Sequence, residues 1–434
     1  METIYIGLLG GGTVGSGVVR VLRDNADAVA ARLGVRLEVR RIAVLDLDKP
    51  RDEAVDAALL TTDADEVLDD PSIAIVVELV GGVTDAADYV LRAIARKKHV
   101  VTANKALLAR RGAEIFALAR EAGVEVFYEG AVCGGIPIIR ALRESLASDR
   151  VRSLAGIVNG TTNYILTAMS QAGASFDATL VEAQRLGYAE ADPSADVDGH
   201  DAGQKLAILA ALAFGTSVEE RDVAVEGIRE VRAEDIAAAD RFGYAIKLLA
   251  IAERVGDAIA LRVHPTWVSR DGMLAHVDGV FNAVSLESEA LGTSLFYGRG
   301  AGQLPTGSAV AADVIDVARS IRIGAAGRVA RLGAETRPSL AKLALSETVS
   351  AFYLRFLVDD VPGVLGRIAT VLGRHGVSLR TVHQDVRGAG GHAVPVVALS
   401  HPTRERDLSA ALAEIDAHAA HRAPTRVMRI LEGV

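Results

Sequence analysis

The sequence predicts an α/β protein built from a Rossmann-type parallel sheet domain, a separate α+β domain and a C-terminal ferredoxin-like unit. Three observations predict it. Strands and helices alternate over residues 1–130, long helices mixed with strands follow over residues 131–302, and residues 349–434 have the order βαββαβ. With 434 residues, half of them apolar, the chain is too long for one ordinary core and has globular composition.

The first part is predicted from apolar runs of strand length that alternate with helical patterns. The predicted strands are 3–9, 37–45, 73–80, 99–102 and 124–128. The predicted helices are 14–33, which Gly34 ends, 86–96 and 106–122. A helix at 308–321 is expected to return to this part, so the first domain comprises residues 1–130 and about 303–340.

The middle part contains alanine-rich helices, predicted at 201–214 and 237–253, and a strand at 260–268. Residues 324–338 are predicted to be a linker. The C-terminal part is predicted from its alternating periodicity. Its predicted strands are 352–358, 378–386, 393–400 and 426–431, and its predicted helices are 363–375 and 405–417.

The composition excludes several classes of function. The formal net charge is −9 and no basic run contains interleaved aromatic residues, so a nucleic-acid partner is not expected. No apolar run reaches membrane-spanning length, so no membrane partner is expected. The first strand begins near Ile4, which leaves no room for a signal peptide, and the single Cys133 cannot form an internal disulfide. These features favour a cytoplasmic location.

A glycine-rich turn follows the first strand and opens the first helix. Its G-x-G-x-x-G spacing gives a tight turn, a close backbone approach to a pyrophosphate and close packing of helix on strand. The helix N-terminus adds N–H groups and partial positive charge. In this strand–turn–helix context the pattern predicts an NAD or NADP site, with cofactor-binding residues Gly10, Gly12, Thr13, Val14 and Gly15.

An acid at the end of the second strand normally binds the ribose hydroxyls, about 20 residues beyond the glycines. Asp46 occupies a strand end but lies 31 residues after Gly15, which a longer first helix would explain. The competing interpretation is that Asp46 is a surface charge in a loop.

Lysine supplies only seven of the 47 basic residues, so each lysine raises the question of a titratable amine. Lys105 follows a short strand at the edge where parallel sheets bind ligands. The alternative is a solvated lysine at a helix start, although a cation there opposes the helix dipole.

The densest polar segment runs from residue 187 to residue 205. Asp201 and Lys205 are four residues apart at a helix start and therefore share a face. A lysine anchored in the interior can act as an acid or a base. A calcium loop is disfavoured because the spacing does not match an EF-hand. An exposed salt bridge explains Asp201 and Lys205 but not Glu190. A further polar run, 159–164, is typical of a helix cap and could also line a substrate pocket.

These motifs resemble the homoserine dehydrogenase family, in the long form that carries a C-terminal ACT domain. The resemblance covers nearly the whole chain. It rests on residues 7–17, 100–105, 128–138, 159–166 and 187–205. It implies reversible hydride transfer between NAD(P) and L-homoserine, with L-aspartate 4-semialdehyde as the oxidised partner, in the biosynthesis of threonine, methionine and isoleucine.

The resemblance also implies roles for individual residues. Lys205 would be the proton donor to the aldehyde oxygen, with Lys105 beside it touching substrate and cofactor. Glu190, Asp201 and the backbone at Gly187 would hold the amino acid. The implied cofactor contacts extend to Ala103 and Gly302. Glu129, with the backbone of Val132, Gly134 and Ile136, matches the family's monovalent-cation site, usually Na⁺.

One position departs from the family pattern. Members that prefer NADP commonly place an arginine just before the aspartate that corresponds to Asp46, and here Leu45 stands there. Asp46 would repel a 2′-phosphate and bond a 2′-hydroxyl. NAD is therefore more plausible than in most relatives, although Lys49 and Arg51 could still reach a phosphate.

The C-terminal part resembles an ACT domain, and the implied effector is L-threonine. Asp359, Asp360 and Gly363 would form the ligand-binding turn; the alternative is a dimerisation module without a ligand. The family is usually dimeric through the middle domain, so a homodimer or homotetramer is expected.

Two other functions compete with the dehydrogenase. A different ACT-containing NAD-dependent oxidoreductase would need a catalytic histidine–carboxylate pair, and none of the ten histidines lies in such a motif. A non-catalytic sensor of amino acids or nucleotides would not need both lysines.

Overall fold

The computed structural model describes residues 1–327, 339–384 and 393–433, and the chain divides into two compact units. The first unit consists of Met1–Gly160, Asp201–Val223 and Val280–Leu340. The second unit consists of Thr161–His200, Ala224–Gly279 and Ala341–Val434. The domain boundaries at residues 130, 302 and 349 remain predictions.

The elements are numbered in chain order. Up to residue 130 they are β1 (Thr3–Leu9), α1 (Thr13–Asp24), α2 (Ala26–Leu33), β2 (Arg36–Ala43), β3 (Leu60–Thr61), α3 (Asp65–Leu68), β4 (Ile73–Glu78), α4 (Thr84–Ala95), β5 (His99–Thr102), α5 (Lys105–Ala122) and β6 (Val126–Phe127).

The elements that follow, up to residue 322, are α6 (Ile138–Arg140), β7 (Val151–Ile157), α7 (Gly160–Ala172), α8 (Phe176–Arg185), α9 (Ser194–Val197), α10 (His200–Phe214), β8 (Ala224–Val225), α11 (Ala233–Arg241), β9 (Tyr244–Val255), β10 (Ala258–Ser269), β11 (Phe281–Ser288), β12 (Gly292–Arg299) and α12 (Gln303–Arg322). Those after residue 339 are β13 (Ala341–Leu343), β14 (Val349–Asp359), α13 (Val364–Arg374), β15 (Leu379–His383), β16 (Ala393–Ser400), β17 (Thr403–Arg404), α14 (Glu405–Asp416) and β18 (His421–Leu431).

A six-stranded parallel sheet organises the first unit. Its order is β3-β2-β1-β4-β5-β6, so the chain reverses direction across the sheet between β1 and β4. This is the arrangement of dinucleotide-binding sheets, and ligands bind at the carboxyl ends of the strands beside such a reversal. The glycine turn that follows β1 lies at this point, which confirms the Rossmann-type fold expected from the alternating pattern.

Helices cover both faces of that sheet. One face packs against α1 and α12 through Val18, Val310 and Val314, while the other packs against α4 and α5 through Val90 and Ile115. Helix α12 therefore packs in the same core as α1. A side chain at Gly17 would overlap the backbone carbonyl of Gln303, so these two helices cross in close contact. The same unit also holds an antiparallel group, β7-β11-β12.

The second unit contains a long antiparallel pair and the ferredoxin-like unit in one sheet. β9 pairs with β10 over its whole length, and β10 pairs in parallel with β18. From β18 the order continues β14-β16-β15, the 4-1-3-2 order of a ferredoxin-like sheet. Helices α13 and α14 pack on one face of this sheet, against Phe352, Leu354 and Phe356 of β14.

The opposite face of that sheet is also buried. Tyr353 stacks on Trp267 of β10 with 4.2 Å between ring centroids, and its hydroxyl donates to Asp235 of α11 at 3.0 Å. Arg355 donates to the same carboxylate at 2.9 Å. The order β14-α13-β15-β16-α14-β18 confirms the βαββαβ pattern predicted for the C-terminal part. Its sheet continues into the β9–β10 pair.

One predicted helix is wrong. The alanine-rich composition of residues 237–253 predicts a helix, but α11 ends at Arg241 and β9 begins at Tyr244. Gly243 between them has φ +82°, which ends the helix. Residues 246–252 are all buried, so the strand lacks the alternation that marks a half-exposed strand, and pairing with β10 overrides the helix propensity of alanine.

Smaller differences concern boundaries. The first predicted helix is two helices that meet at Asn25, whose side chain donates to the Val21 carbonyl at 2.8 Å. Residues 328–338 of the predicted linker and residues 385–386 of the strand predicted at 378–386 lie outside the described residues. Among the helices that the structure describes, none has the length and apolar character needed to cross a membrane.

Candidate active site

The three glycines after β1 have different surroundings. Gly10 has φ +109°, and a side chain there would lie 2.7 Å from the Leu79 carbonyl oxygen. A side chain at Gly15 would overlap the Gly10 carbonyl oxygen. A Cβ built on Gly12 meets no described atom within 4 Å, and Gly12 is the N-cap of α1. Gly10 and Gly15 are thus required by the tight backbone of the loop. Gly12 leaves open space at the N-terminus of α1, where Thr13 and Val14 begin the first helical turn.

The loop after β2 carries the predicted ribose-binding acid. β2 ends at Ala43, and Leu45 and Asp46 are both exposed. The Asp46 carboxylate accepts a hydrogen bond from the Asp48 backbone at 2.9 Å. Arg51 donates to the Lys49 carbonyl at 2.8 Å and to the Asp46 carbonyl. The guanidinium of Arg51 therefore closes this loop, which the sequence did not indicate.

A buried polar group sets the start of α5. Asn104 caps the helix by accepting from the Leu107 backbone at 3.0 Å, and its amide donates to the Gly82 carbonyl at 2.8 Å. Glu78, at the end of β4, accepts from Thr102 at 2.6 Å. Burial raises the pKa of Glu78. These residues fix Ala103 and Lys105 at the carboxyl edge of the sheet. Sequence reasoning missed Glu78, although an acid at the end of an apolar strand was a visible signal.

Lys105 and Lys205 converge on Asp201. The Lys205 Nζ atom lies 2.7 Å from Asp201 Oδ2, and Lys105 Nζ lies 3.1 Å from Oδ1. Lys205 also donates to the Val158 carbonyl at 2.7 Å, and the Asn159 amide donates to Asp201 Oδ2 at 2.8 Å. One buried carboxylate therefore lies between two ammonium groups. The contact of Asp201 with Lys205 is the one that their shared helix face predicted.

The charge state of this group follows from its contacts. Burial disfavours ionisation of Asp201, but the ammonium groups of Lys205 and Lys105 outweigh it and lower the pKa of the carboxyl to about 2. Asp201 is therefore a carboxylate throughout the neutral range. Burial raises the pKa of the Cys133 thiol, and the charge of Lys205 opposes that rise. This arrangement can hold a proton beside a substrate oxygen and still retain a counter-charge.

The acidic loop with Gly187 and Glu190 belongs to the second unit. Gly187 has φ +76°, and Glu190 is exposed. Thr161 donates to the Tyr188 carbonyl at 2.7 Å, and the rings of Tyr164 and Tyr188 lie 4.9 Å apart. The polar run 159–164 therefore does more than cap a helix, because it also anchors the loop that the resemblance assigns to substrate.

The segment predicted to bind a cation is buried around Glu129. Its carboxylate accepts from the Ile139 backbone at 2.9 Å and the Arg140 backbone at 2.8 Å, and its own N–H donates to Asp313 at 2.7 Å. Burial raises the pKa of Glu129, and it raises that of Asp313 to about 8. The carbonyl oxygen of Ile136 accepts from the Ile138 backbone at 2.8 Å. Within the described residues, no three histidine, cysteine or acidic side chains form a metal cluster, so backbone oxygens would have to complete any cation site.

The segment that returns to the first unit places Gly302 at the N-terminus of α12, with φ +129°. The next residue, Gln303, donates to Asp52 at 2.7 Å. Asp52 also accepts from Arg20 of α1 at 3.3 Å. These hydrogen bonds connect the start of α12 to the loop after β2 and to α1.

The predicted effector turn lies between β14 and α13. Asp359 forms two hydrogen bonds with the Arg422 guanidinium, at 2.6 and 2.5 Å. Asp360 is exposed, and Gly363 has φ +95° and is the N-cap of α13. Asp359 is thus engaged in an ion pair within the C-terminal unit.

Comparisons with known proteins agree along the whole chain. The model of the homoserine dehydrogenase NAD-binding domain matches residues 10–129, that of homoserine dehydrogenase matches residues 137–315, and that of the ACT domain matches residues 352–420. A homoserine dehydrogenase of Synechocystis is 48% identical over 99% of this chain and 100% of its own. One of Neisseria gonorrhoeae is 44% identical over 99% of both chains.

Solved structures give the same result. A homoserine dehydrogenase from Thiobacillus denitrificans is 45% identical, has a TM-score of 0.95, and covers 100% of this chain and 99% of its own. A hyperthermophilic archaeal homoserine dehydrogenase in complex with NADPH is 28% identical, with a TM-score of 0.62 over 78% of this chain and 100% of its own.

Proposed function

The chain belongs to the homoserine dehydrogenase family, and we propose that its Lys105–Asp201–Lys205 group catalyses the hydride transfer between substrate and dinucleotide. The substrate pair is L-homoserine and L-aspartate 4-semialdehyde, with NAD(P) as the dinucleotide. One observation carries the proposal. Two ammonium groups flank a single buried carboxylate at 2.7 and 3.1 Å, in the unit that also contains the glycine turn.

Lys205 is the proton donor in the reducing direction. A nicotinamide dinucleotide held at the glycine turn of Gly10, Gly12 and Gly15 would supply the hydride for the aldehyde carbon. The Lys205 ammonium gives its proton to the oxygen, which becomes the homoserine hydroxyl, and a neutral amine remains. Asp201 retains its negative charge and keeps Nζ in place together with the Val158 carbonyl. Lys105 touches substrate and cofactor and adds positive charge beside the oxygen.

The resemblance assigns Gly187, Glu190 and Asp201 to the substrate amino acid, and we propose that role for each of them. A free ammonium group requires carboxylates, and Glu190 is exposed on a loop that Thr161 anchors. Gly302 and Ala103 approach the cofactor from α12 and from the start of α5.

A monovalent cation, Na⁺ in our proposal, is held by Glu129 and the backbone oxygens of Val132, Gly134 and Ile136. The donor set fits, because a buried carboxylate and carbonyl oxygens are hard ligands. The raised pKa of Glu129 reflects the cost of burying an ionised carboxylate, and a cation would counter that cost. The ion would stabilise the turn that leads to α6.

The ACT domain is proposed to bind L-threonine as a feedback effector at the turn of Asp359, Asp360 and Gly363. A carboxylate can bind the ammonium group of an amino acid, and the backbone at a helix N-terminus can bind its carboxylate. A homodimer or homotetramer and a cytoplasmic location remain predictions.

The first expected result is homoserine oxidation by the purified full-length chain. Absorbance at 340 nm would rise with L-homoserine and either dinucleotide, and L-threonine would lower the rate. A chain that reduces neither dinucleotide with homoserine would contradict the proposed reaction. An unchanged rate with threonine would contradict the proposed effector only.

The second expected result concerns dinucleotide preference. Asp46 is exposed beside Leu45, and its carboxylate would repel a 2′-phosphate, so NAD should be the better cofactor. Replacing Asp46 by alanine should improve kcat/KM for NADP relative to NAD by about tenfold, which corresponds to about 1.4 kcal/mol. The measurement is kcat/KM with each dinucleotide at saturating homoserine.

Asp48→Ala is the matched control, because Asp48 is an exposed acid of the same loop. It should leave the ratio within twofold of the wild-type value. A strong NADP preference in the wild-type chain would instead assign a 2′-phosphate to Lys49 or Arg51.

A further inference from the structure

Two neighbouring residues at the end of β7 hold the two partners of the catalytic ion pair. The Val158 carbonyl accepts from Lys205 Nζ at 2.7 Å. The Asn159 amide donates to Asp201 Oδ2 at 2.8 Å, and Asn159 is only 5% exposed. All four residues belong to the first unit. The backbone carbonyl of Val158 therefore positions Lys205, and the side chain of Asn159 positions Asp201.

We propose that Asn159 is a positioning residue that orients the Asp201 carboxylate between the two lysines. This inference rests on the proposed function of Lys205. The torsion that rotates a carboxylate about its last bond is broad, so a buried aspartate needs donors to fix its plane. Asn159 and Lys205 both donate to Oδ2, while Lys105 faces Oδ1.

The shared oxygen gives Asn159 a second effect. A hydrogen bond from the neutral amide takes up part of the acceptor capacity of Oδ2, which is then less available to the Lys205 ammonium. Without the amide, Asp201 would hold the proton of Lys205 more strongly. Further charged or titratable groups among the described residues are Lys105 on α5, which pairs with Asp201, and Cys133 in the segment after β6, whose pKa the charge of Lys205 affects.

The side-chain type at 159 is therefore decisive. An aspartate has nearly the same shape as asparagine but offers no donor when ionised. It would place a second carboxylate against Asp201 and further stabilise the ammonium form of Lys205. Both Asn159→Ala and Asn159→Asp thus remove the hydrogen bond to Asp201, but only Asn159→Asp also adds a negative charge beside it.

The test compares the full-length wild type with Asn159→Ala and Asn159→Asp. Homoserine oxidation requires the neutral amine of Lys205, so its rate rises with pH. We expect kcat to fall about tenfold or more in Asn159→Ala. The pH of half-maximal kcat should rise in the order wild type, Asn159→Ala, Asn159→Asp. Cofactor affinity, measured by NADH fluorescence, should stay within twofold.

Gln171→Ala is the control, because it removes an exposed amide from the same helix that Asn159 precedes. It should change neither kcat nor the pH profile. A merely structural role would lower kcat or thermal stability without moving the pH midpoint, and that result would overturn the inference. So would an Asn159→Ala variant with wild-type kcat.

A second readout does not depend on activity. Acetic anhydride labels neutral amines, so the pH of half-maximal labelling of Lys205, followed by peptide mass spectrometry, should shift in the same order. If the wild type failed to oxidise homoserine while labelling shifted as expected, the proposed function would fail and the role of Asn159 would stand. Identical labelling curves in all three proteins would overturn it.

Discussion

Replacing Lys205 by alanine is expected to lower kcat for homoserine oxidation about 10³-fold, within the range observed for loss of a general acid or base. The variant keeps Asp201 and Lys105 but lacks the group that takes the hydroxyl proton. The glycine turn lies elsewhere in the first unit, so the dinucleotide should bind with unchanged affinity. The measurements are kcat at saturating substrates and cofactor affinity by fluorescence.

Two further variants sharpen this result. Lys205→Arg keeps a positive charge, but a guanidinium does not release its proton near neutral pH, so its kcat should be as low as that of the alanine variant. Lys97→Asn replaces an exposed lysine outside the site, at a position with φ +58° that asparagine tolerates, and should leave kcat unchanged. Wild-type turnover by Lys205→Ala would refute the assignment of the proton donor.

Two alanine substitutions in the glycine turn are expected to have different effects, one on cofactor affinity and the other on stability. At Gly12 an added Cβ meets no described atom within 4 Å, so the fold should be kept. That Cβ would enter the space where a pyrophosphate approaches, and cofactor affinity should fall at least about tenfold. At Gly15 the Cβ would overlap the Gly10 carbonyl, so the variant should lose about 3 kcal/mol of unfolding free energy.

Denaturant unfolding and cofactor titration together separate the two effects. Gly373→Ala is the control, because Gly373 is an exposed helical glycine with no described atom within 4 Å of an added Cβ. It should keep cofactor affinity and gain up to about 1 kcal/mol from helix propensity. Normal cofactor binding by Gly12→Ala would show that the dinucleotide does not approach the backbone there.

The C-terminal unit and the glycine turn were predictable because their signals are local. The G-x-G-x-x-G spacing lies between a strand and a helix, and in the structure a side chain is excluded at Gly10 and Gly15 by neighbouring backbone but not at Gly12. The helix predicted at residues 237–253 is wrong for the opposite reason. Their composition favours a helix, and only pairing of β9 with β10 makes most of them a strand.

The candidate site also contains one contact that local spacing predicted and others that only the tertiary structure shows. Asp201 and Lys205 could be placed on one helix face from their spacing, and the structure confirms their contact at 2.7 Å. Asn159 lies 42 residues before Asp201 in the chain, so no local pattern could pair them. The contact of Glu129 with Asp313 spans 184 residues and was equally invisible.

The sequence by itself determined the glycine turn, the alternating α/β pattern, the βαββαβ unit and the residue types that carry the chemistry, because each depends on spacing of a few residues. Only the tertiary structure decided that Lys105 joins Lys205 on one carboxylate and that Asn159 and Val158 hold that pair. Such contacts join distant segments, and the buried carboxylate is ionised only because the fold brings its counter-charges within hydrogen-bonding distance.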